Sequence, residues 1–111
     1  MTTVQRPTLP DHDLLAILRA RLEIQRDFRI DQLAALESMV PPPPGSAQDE
    51  IVTSLCAGAA SALRQTREAL QRLDEDSYGL CTECDAALPL EQLAAVPQAP
   101  LCPRCASRLA A

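Results

Sequence analysis

Apolar positions recur at helical spacing through the first two thirds of the chain. From Asp11 to Val40 the sequence contains neither Gly nor Pro, and Leu15, Leu18, Leu22, Leu36 and Met39 fall at three- and four-residue steps or multiples of them, the signature of one face of a long helix. Gln25, Arg29 and Gln32 interrupt the same face in its middle, so the seam is expected to be weaker there. Val40 precedes a proline, which disfavours its helical conformation, and Pro41 to Pro44 followed by Gly45 end the helix. A cleaner stripe then begins, with Val52, Cys56, Ala59, Leu63, Thr66, Leu70 and Leu73 alternating four- and three-residue steps, as on a coiled-coil face. Ser46 is placed to cap this second helix, with Asp49 at its third position and Glu50 beside it to complement the positive helix end. Arg64 with Glu68, and Glu68 with Arg72, stand four apart and should add weak ion pairs. Two helices of about 28 residues, each roughly 40 Å long, joined by so short a turn can hide both stripes only by folding back antiparallel.

The pattern changes after Asp76. The last 35 or so residues are too few to fold on apolar burial alone; within them Pro89 to Ala95 reads as a short helix bounded by Pro89 and Pro97, and a brief terminal helix can follow Pro103. The expected organisation is a polar, Pro-containing arm over residues 1–10, an antiparallel coiled-coil hairpin over 11–76 with its tip at 41–45, and a minidomain over 77–111. Composition supports an all-α chain without a thick core. The 111 residues are 47% hydrophobic, with one Phe, one Tyr and no Trp, and the apolar content is largely the helix formers Ala and Leu. A two-domain enzyme does not fit in this length. The net charge is -5, every base is Arg, and no basic run occurs, which argues against a protein that grips a nucleic-acid backbone directly.

Five cysteines in so small a chain need a reason. Four form two identical pairs, Cys81-x-x-Cys84 and Cys102-x-x-Cys105, with 17 residues between them, leaving Cys56 apart. The N-terminus MTTVQRPTLP shows no basic segment followed by an apolar run, and no apolar stretch reaches membrane-spanning length, so a cytoplasmic, reduced protein is expected rather than a secreted disulfide framework. Each Cys-x-x-Cys brings two thiolates to one ion from a tight turn, and two such turns make the closed tetrahedral site of one structural Zn²⁺. A redox dithiol needs only one pair, and iron–sulfur centres favour other spacings. Four thiolates leave no open position for water, so no catalytic metal is implied. Zinc would then fold the minidomain.

The other chemical groups have plainer readings. Cys56 lies on the second seam as a small hydrophobe. His12 stands between Asp11 and Asp13 as a solvated side chain. Asp74, Glu75 and Asp76 oppose the dipole at a helix C-terminus; they are either a solvated stop or a contact for a basic partner.

The segment Tyr78-Gly79-Leu80-Cys81-Thr82-Glu83-Cys84, continued by Leu88, Leu93, Ala95, Pro97, Ala99 and Leu101-Cys102-Pro103-Arg104-Cys105, resembles the C4 zinc finger of the DksA/TraR family of bacterial transcription regulators, which bind RNA polymerase. The preceding acidic residues and the long hairpin are similar to that family too. The resemblance implies a non-catalytic regulator whose zinc finger rests on the rim of the polymerase secondary channel and whose coiled coil reaches inward, acting without DNA binding; the chain itself is expected to be a monomer. An acidic protein suits a partner surface of complementary charge. Three departures stand out. The family's tip motif, Asp-x-x-Asp-x-Ala, is replaced by Pro41-Pro42-Pro43-Pro44-Gly45-Ser46-Ala47. The family's basic residues for the alarmone ppGpp are replaced by Glu91, Gln92, Val96 and Ala106, so no ppGpp site is expected. Asp85 replaces the usual Gly after the second cysteine, which the turn can accept if it takes Asp in the left-handed region.

Two other functions fit the same features. One is a zinc-stapled coiled-coil adaptor for another partner, such as a ribosome- or stress-associated module, with the rigid polyproline tip entering a groove. The other is a zinc–thiolate redox sensor, in which oxidation of the cysteines releases the metal.

Overall fold

The computed structural model describes residues 10–110; nine residues of the arm expected over 1–10 lie outside it. Four helices follow in order: α1 (His12–Glu37), α2 (Ala47–Asp74), α3 (Leu90–Ala95) and α4 (Pro103–Ala110). No strand forms among the described residues, only an isolated antiparallel bridge between Leu80 and Ala87. The molecule is a rod of 68 × 33 × 20 Å, with α1 and α2 as an antiparallel hairpin along it.

Local chemistry sets the ends of the hairpin helices. Asp11 caps α1 by accepting from the Leu14 N–H at 2.8 Å. At the other end α1 stops at Glu37, two residues short of Met39, the last position of the predicted stripe. Ser38 closes it by donating its hydroxyl to the Ala35 carbonyl and its N–H to Ala34. Ahead of four prolines the chain has already left the helix, so Met39 lies exposed near the tip instead of in the seam. Ser46 caps α2, its Oγ accepting from the Asp49 N–H at 3.1 Å. Asp49 completes the cap by accepting from the Gly45 N–H at 2.9 Å. The return bond therefore goes one residue ahead of the usual capping-box partner, because the Ser46 N–H is taken by the Pro43 carbonyl.

Along the seam, α2 buries Ala59, Leu63, Thr66 and Leu70 as its spacing predicts, with Val52, Cys56 and Leu73 half-buried. On α1 only Leu18 and Leu22 are fully buried. Gln25, Arg29 and Gln32 do lie on the inner face, half-buried, and Arg29 donates to the Gln32 amide oxygen at 2.8 Å. Its guanidinium also sits 5.3 Å from the Phe28 ring centroid. Beyond them Leu33 and Leu36 are half-buried as well, and no residue of α1 after Leu22 is fully buried. The expected Arg64–Glu68–Arg72 ladder does not form ion pairs. Among the described residues the pairs are Arg19–Asp74, which ties α1 to the end of α2 at 3.0 Å, and Arg26–Asp27. Both are solvent-exposed, which limits each to at most about 1 kcal/mol.

The acidic run that ends α2 has a local explanation. Asp74 pairs with Arg19, and Glu75 accepts from the Gln71 side chain at 2.7 Å. Asp76 takes the left-handed conformation (φ 59°), which lets the Ser77 N–H return to the Arg72 carbonyl at 2.9 Å, a Schellman stop with Asp where Gly is usual. This turn aims the chain back onto the hairpin base. There Leu18, Leu22, Ala69 and Leu70 share one core with Tyr78, Leu88 and Leu93 and with Cys81, Cys102 and Cys105. The C-terminal segment is therefore welded to the wide end of the rod, and the opposite end is bare hairpin.

Candidate metal centre

Two tight turns carry the cysteines. The first is pinched off between Gly79 and Leu88: the Leu88 N–H bonds Gly79 O, the Cys81 N–H bonds Ala86 O, and the Asp85 N–H returns to Cys81 O, all at 2.8–2.9 Å. Gly79 (φ 88°) and Asp85 (φ 60°) both occupy the left-handed region. Asp85 thereby does what the sequence required of it in a position where Gly has no steric cost. The second turn opens α4. Cys102 acts as its cap, its carbonyl accepting from the Ala106 N–H at 2.9 Å and its sulfur from the Cys105 N–H at 3.4 Å. Pro103 follows at the first helical position, where a missing N–H is harmless. The Thr82 N–H donates to Pro100 O at 2.9 Å and holds the turns together. Tyr78 braces the segment between them, its buried hydroxyl donating to Pro97 O at 2.8 Å.

As a result all four paired thiols converge, their sulfurs within 4.8 Å of one another. Cys81, Cys102 and Cys105 are buried and Cys84 is exposed. The Cys84 and Cys102 sulfurs are 3.8 Å apart, the edge of a tetrahedron whose centre lies about 2.3 Å from each sulfur. The electrostatics favour a cation. Backbone N–H groups, first that of Cys102, bring the Cys81 thiol down to about 6, and the Cys105 N–H lowers Cys102. Cys105 is pushed up to about 12 by its sulfur neighbours, first Cys102, and by burial. Sulfurs this close oppose one another's ionisation, and a divalent ion among them removes the conflict. The Arg108 guanidinium lies 3.6 Å from the Cys105 sulfur and donates to it from outside. Donor set, spacing and closure match a C4 site for one structural zinc ion. Cys56 and His12 stand apart from it, half-buried on α2 and exposed at the start of α1.

The chain is similar in structure to the transcription factor DksA2 from Pseudomonas aeruginosa, at 28% identity over 87% of this chain and 78% of that one, with a TM-score of 0.53. The chain is DksA/TraR-like. Hairpin and C4 site occur together in the order that the family resemblance implied. No described helix is long and apolar enough to cross a membrane. An uncharacterized protein of Aquifex aeolicus (strain VF5) is 28% identical over 61 residues, which are 55% of this chain and 42% of that protein. The chain thus matches less than half the length of that relative. No family model matches the sequence.

Arg108 stands three residues after Cys105 on α4, a spacing that puts the two on one helix face, so its contact with the sulfur was within reach of residue spacing. A second feature of this DksA/TraR-like site was not. The bracing by Tyr78 depends on Pro97, 19 residues away in sequence.

Proposed function

We propose that this protein is a non-catalytic, cytoplasmic transcription regulator that binds RNA polymerase through the secondary channel, with the zinc finger on the channel rim and the hairpin inserted, and without direct contact to DNA. The observation that carries the reading is a hairpin fused through one core to a C4 site in a chain similar, over most of its length, to a transcription factor. A rod with one welded end suits such a task, since force on the tip is resisted at the base. In this reading Cys81, Cys84, Cys102 and Cys105 are the zinc ligands, no residue is catalytic, and residues 11–76 and 77–111 divide the work of reaching and docking. The net charge of -5 steers the monomer to a basic rim.

The experiment is a pull-down of zinc-loaded protein with core RNA polymerase. Stoichiometric retention, lost when Cys81→Ser removes the metal site, is the expected result. No retention by protein of verified zinc content would refute it. A sensor reading has one observation in its favour, the exposure of Cys84 in a cluster whose other thiols are buried. Mild peroxide should then release zinc, and retained zinc would dismiss it.

A further inference from the structure

The distal loop has no role in the centre just described, and its chemistry is unusual. Five residues, Val40 to Pro44, each either precede a proline or are one. Val40, Pro41, Pro42 and Pro43 are all held extended by the proline that follows. Pro44 then enters a type II turn. The Ser46 N–H bonds Pro43 O at 3.1 Å, Pro44 has its φ fixed by its ring, and Gly45 supplies the positive φ of 78° that the third position needs. The second position of such a turn is itself close to polyproline II in backbone angles. The run is therefore a short polyproline II helix locked at both ends, by the end of α1 and by the capped start of α2.

That helix repeats every three residues, and exposure follows the repeat. Val40 with Pro43, and Pro41 with Pro44, form two exposed edges, whereas Pro42 is half-buried on the third. Val40 is 89% exposed. The four prolines carry no N–H, and among the described residues no group donates to the carbonyls of Val40, Pro41 or Pro42. The one carboxylate that reaches the turn, Asp49, is engaged by Gly45 and by its capping role. The loop thus offers rings and free acceptors but no free charge at its apex.

We propose that Val40–Pro44 is a preformed ligand of the Pro-x-x-Pro kind, which the hairpin presents to an aromatic-lined groove on a partner protein. Pro41 and Pro44 supply the two ring contacts, Val40 adds an apolar one, and the free carbonyls accept from the indole N–H or phenol O–H groups that line such grooves. A linear peptide loses conformational freedom on entering such a groove; this loop has already lost it on folding. The inference concerns the chemistry of the tip and stands or falls separately from the choice of RNA polymerase as partner.

The probe is a panel of purified SH3, WW and EVH1 domains, whose grooves have this chemistry. The chain contains no Trp, so tryptophan fluorescence of each domain reports binding without background. Intact zinc-loaded protein should give a saturable change with at least one domain. Pro41→Ala, which leaves the turn untouched, should weaken that binding at least tenfold at unchanged helicity and zinc content, and Pro42→Ala should weaken it less. No response from any domain would overturn the proposal, as would equal binding by Pro41→Ala, in which case the prolines only set the turn.

Discussion

Replacing Tyr78 by Phe removes one oxygen from the middle of the core that joins the hairpin to the metal centre. Its hydroxyl donates to Pro97 O at 2.8 Å in a buried setting. Without it that carbonyl loses its donor, at a cost of about 1–3 kcal/mol. The same burial lifts the phenol from 10.0 to about 12, with the nearby Arg72 and Arg21 charges opposing the rise. Because the folded value lies above the unfolded one, the folded state holds its proton more tightly. That contribution is complete below pH 10 and is lost as pH climbs to about 12. Two pK units correspond to an effect on the order of 2–3 kcal/mol. Tyr78 is the single tyrosine and there is no Trp, so phenolate absorbance follows this one group, and denaturation at stepped alkaline pH follows its effect on stability. Tyr78→Phe should lower stability at neutral pH and flatten the alkaline decline. A phenolate midpoint near 10 in protein with intact helicity would refute the reasoning, as would an unchanged alkaline decline in the variant.

Three more outcomes follow from the packing. Leu22→Ala, at a site with no exposed surface, should cost about 2–5 kcal/mol in chemical denaturation; a loss under 1 kcal/mol would mean that the core closes elsewhere. Asp76→Gly relieves a left-handed Asp (φ 59°) and should gain about 0.5–1 kcal/mol, whereas Asp76→Val should lose about 1–2 kcal/mol; both are read from thermal melts, and a destabilised Gly variant would show that the carboxylate itself matters. Chelation should remove one zinc per chain, with binding energy on the order of 10 kcal/mol at stake. Hydrogen exchange should then accelerate at Leu18, Leu22 and Leu70 as well as in the finger, because they share its core. Unchanged protection at the hairpin base would contradict that coupling.

The two seams and the C4 centre were legible because both are short-range patterns: three- and four-residue steps for a helix face, and two thiols per tight turn for the metal. Even the polar break at Gln25, Arg29 and Gln32 could be read, though not the Arg29–Gln32 bond that closes it. Asp74 to Asp76 were ambiguous by charge alone. Their explanation lies in a salt bridge to Arg19, 55 residues away, and in a backbone angle, neither of which leaves a mark in local sequence. The Arg64–Glu68–Arg72 spacing allowed ion pairs that the side chains do not make; Arg72 instead turns a guanidinium nitrogen into the protein, where it is buried without a hydrogen-bond partner. Helix α1 ended early because Ser38 could satisfy its last carbonyls before the prolines forced a stop.

Placing the tip inside RNA polymerase tests the account most directly. With a photo-crosslinking residue in place of the exposed Ala47, zinc-loaded protein irradiated with core polymerase should give crosslinks that map inside the secondary channel, and the same residue at Glu83 in the finger should crosslink to its rim. Crosslinks from Ala47 confined to the outer surface of the polymerase, or none from either position, would contradict it.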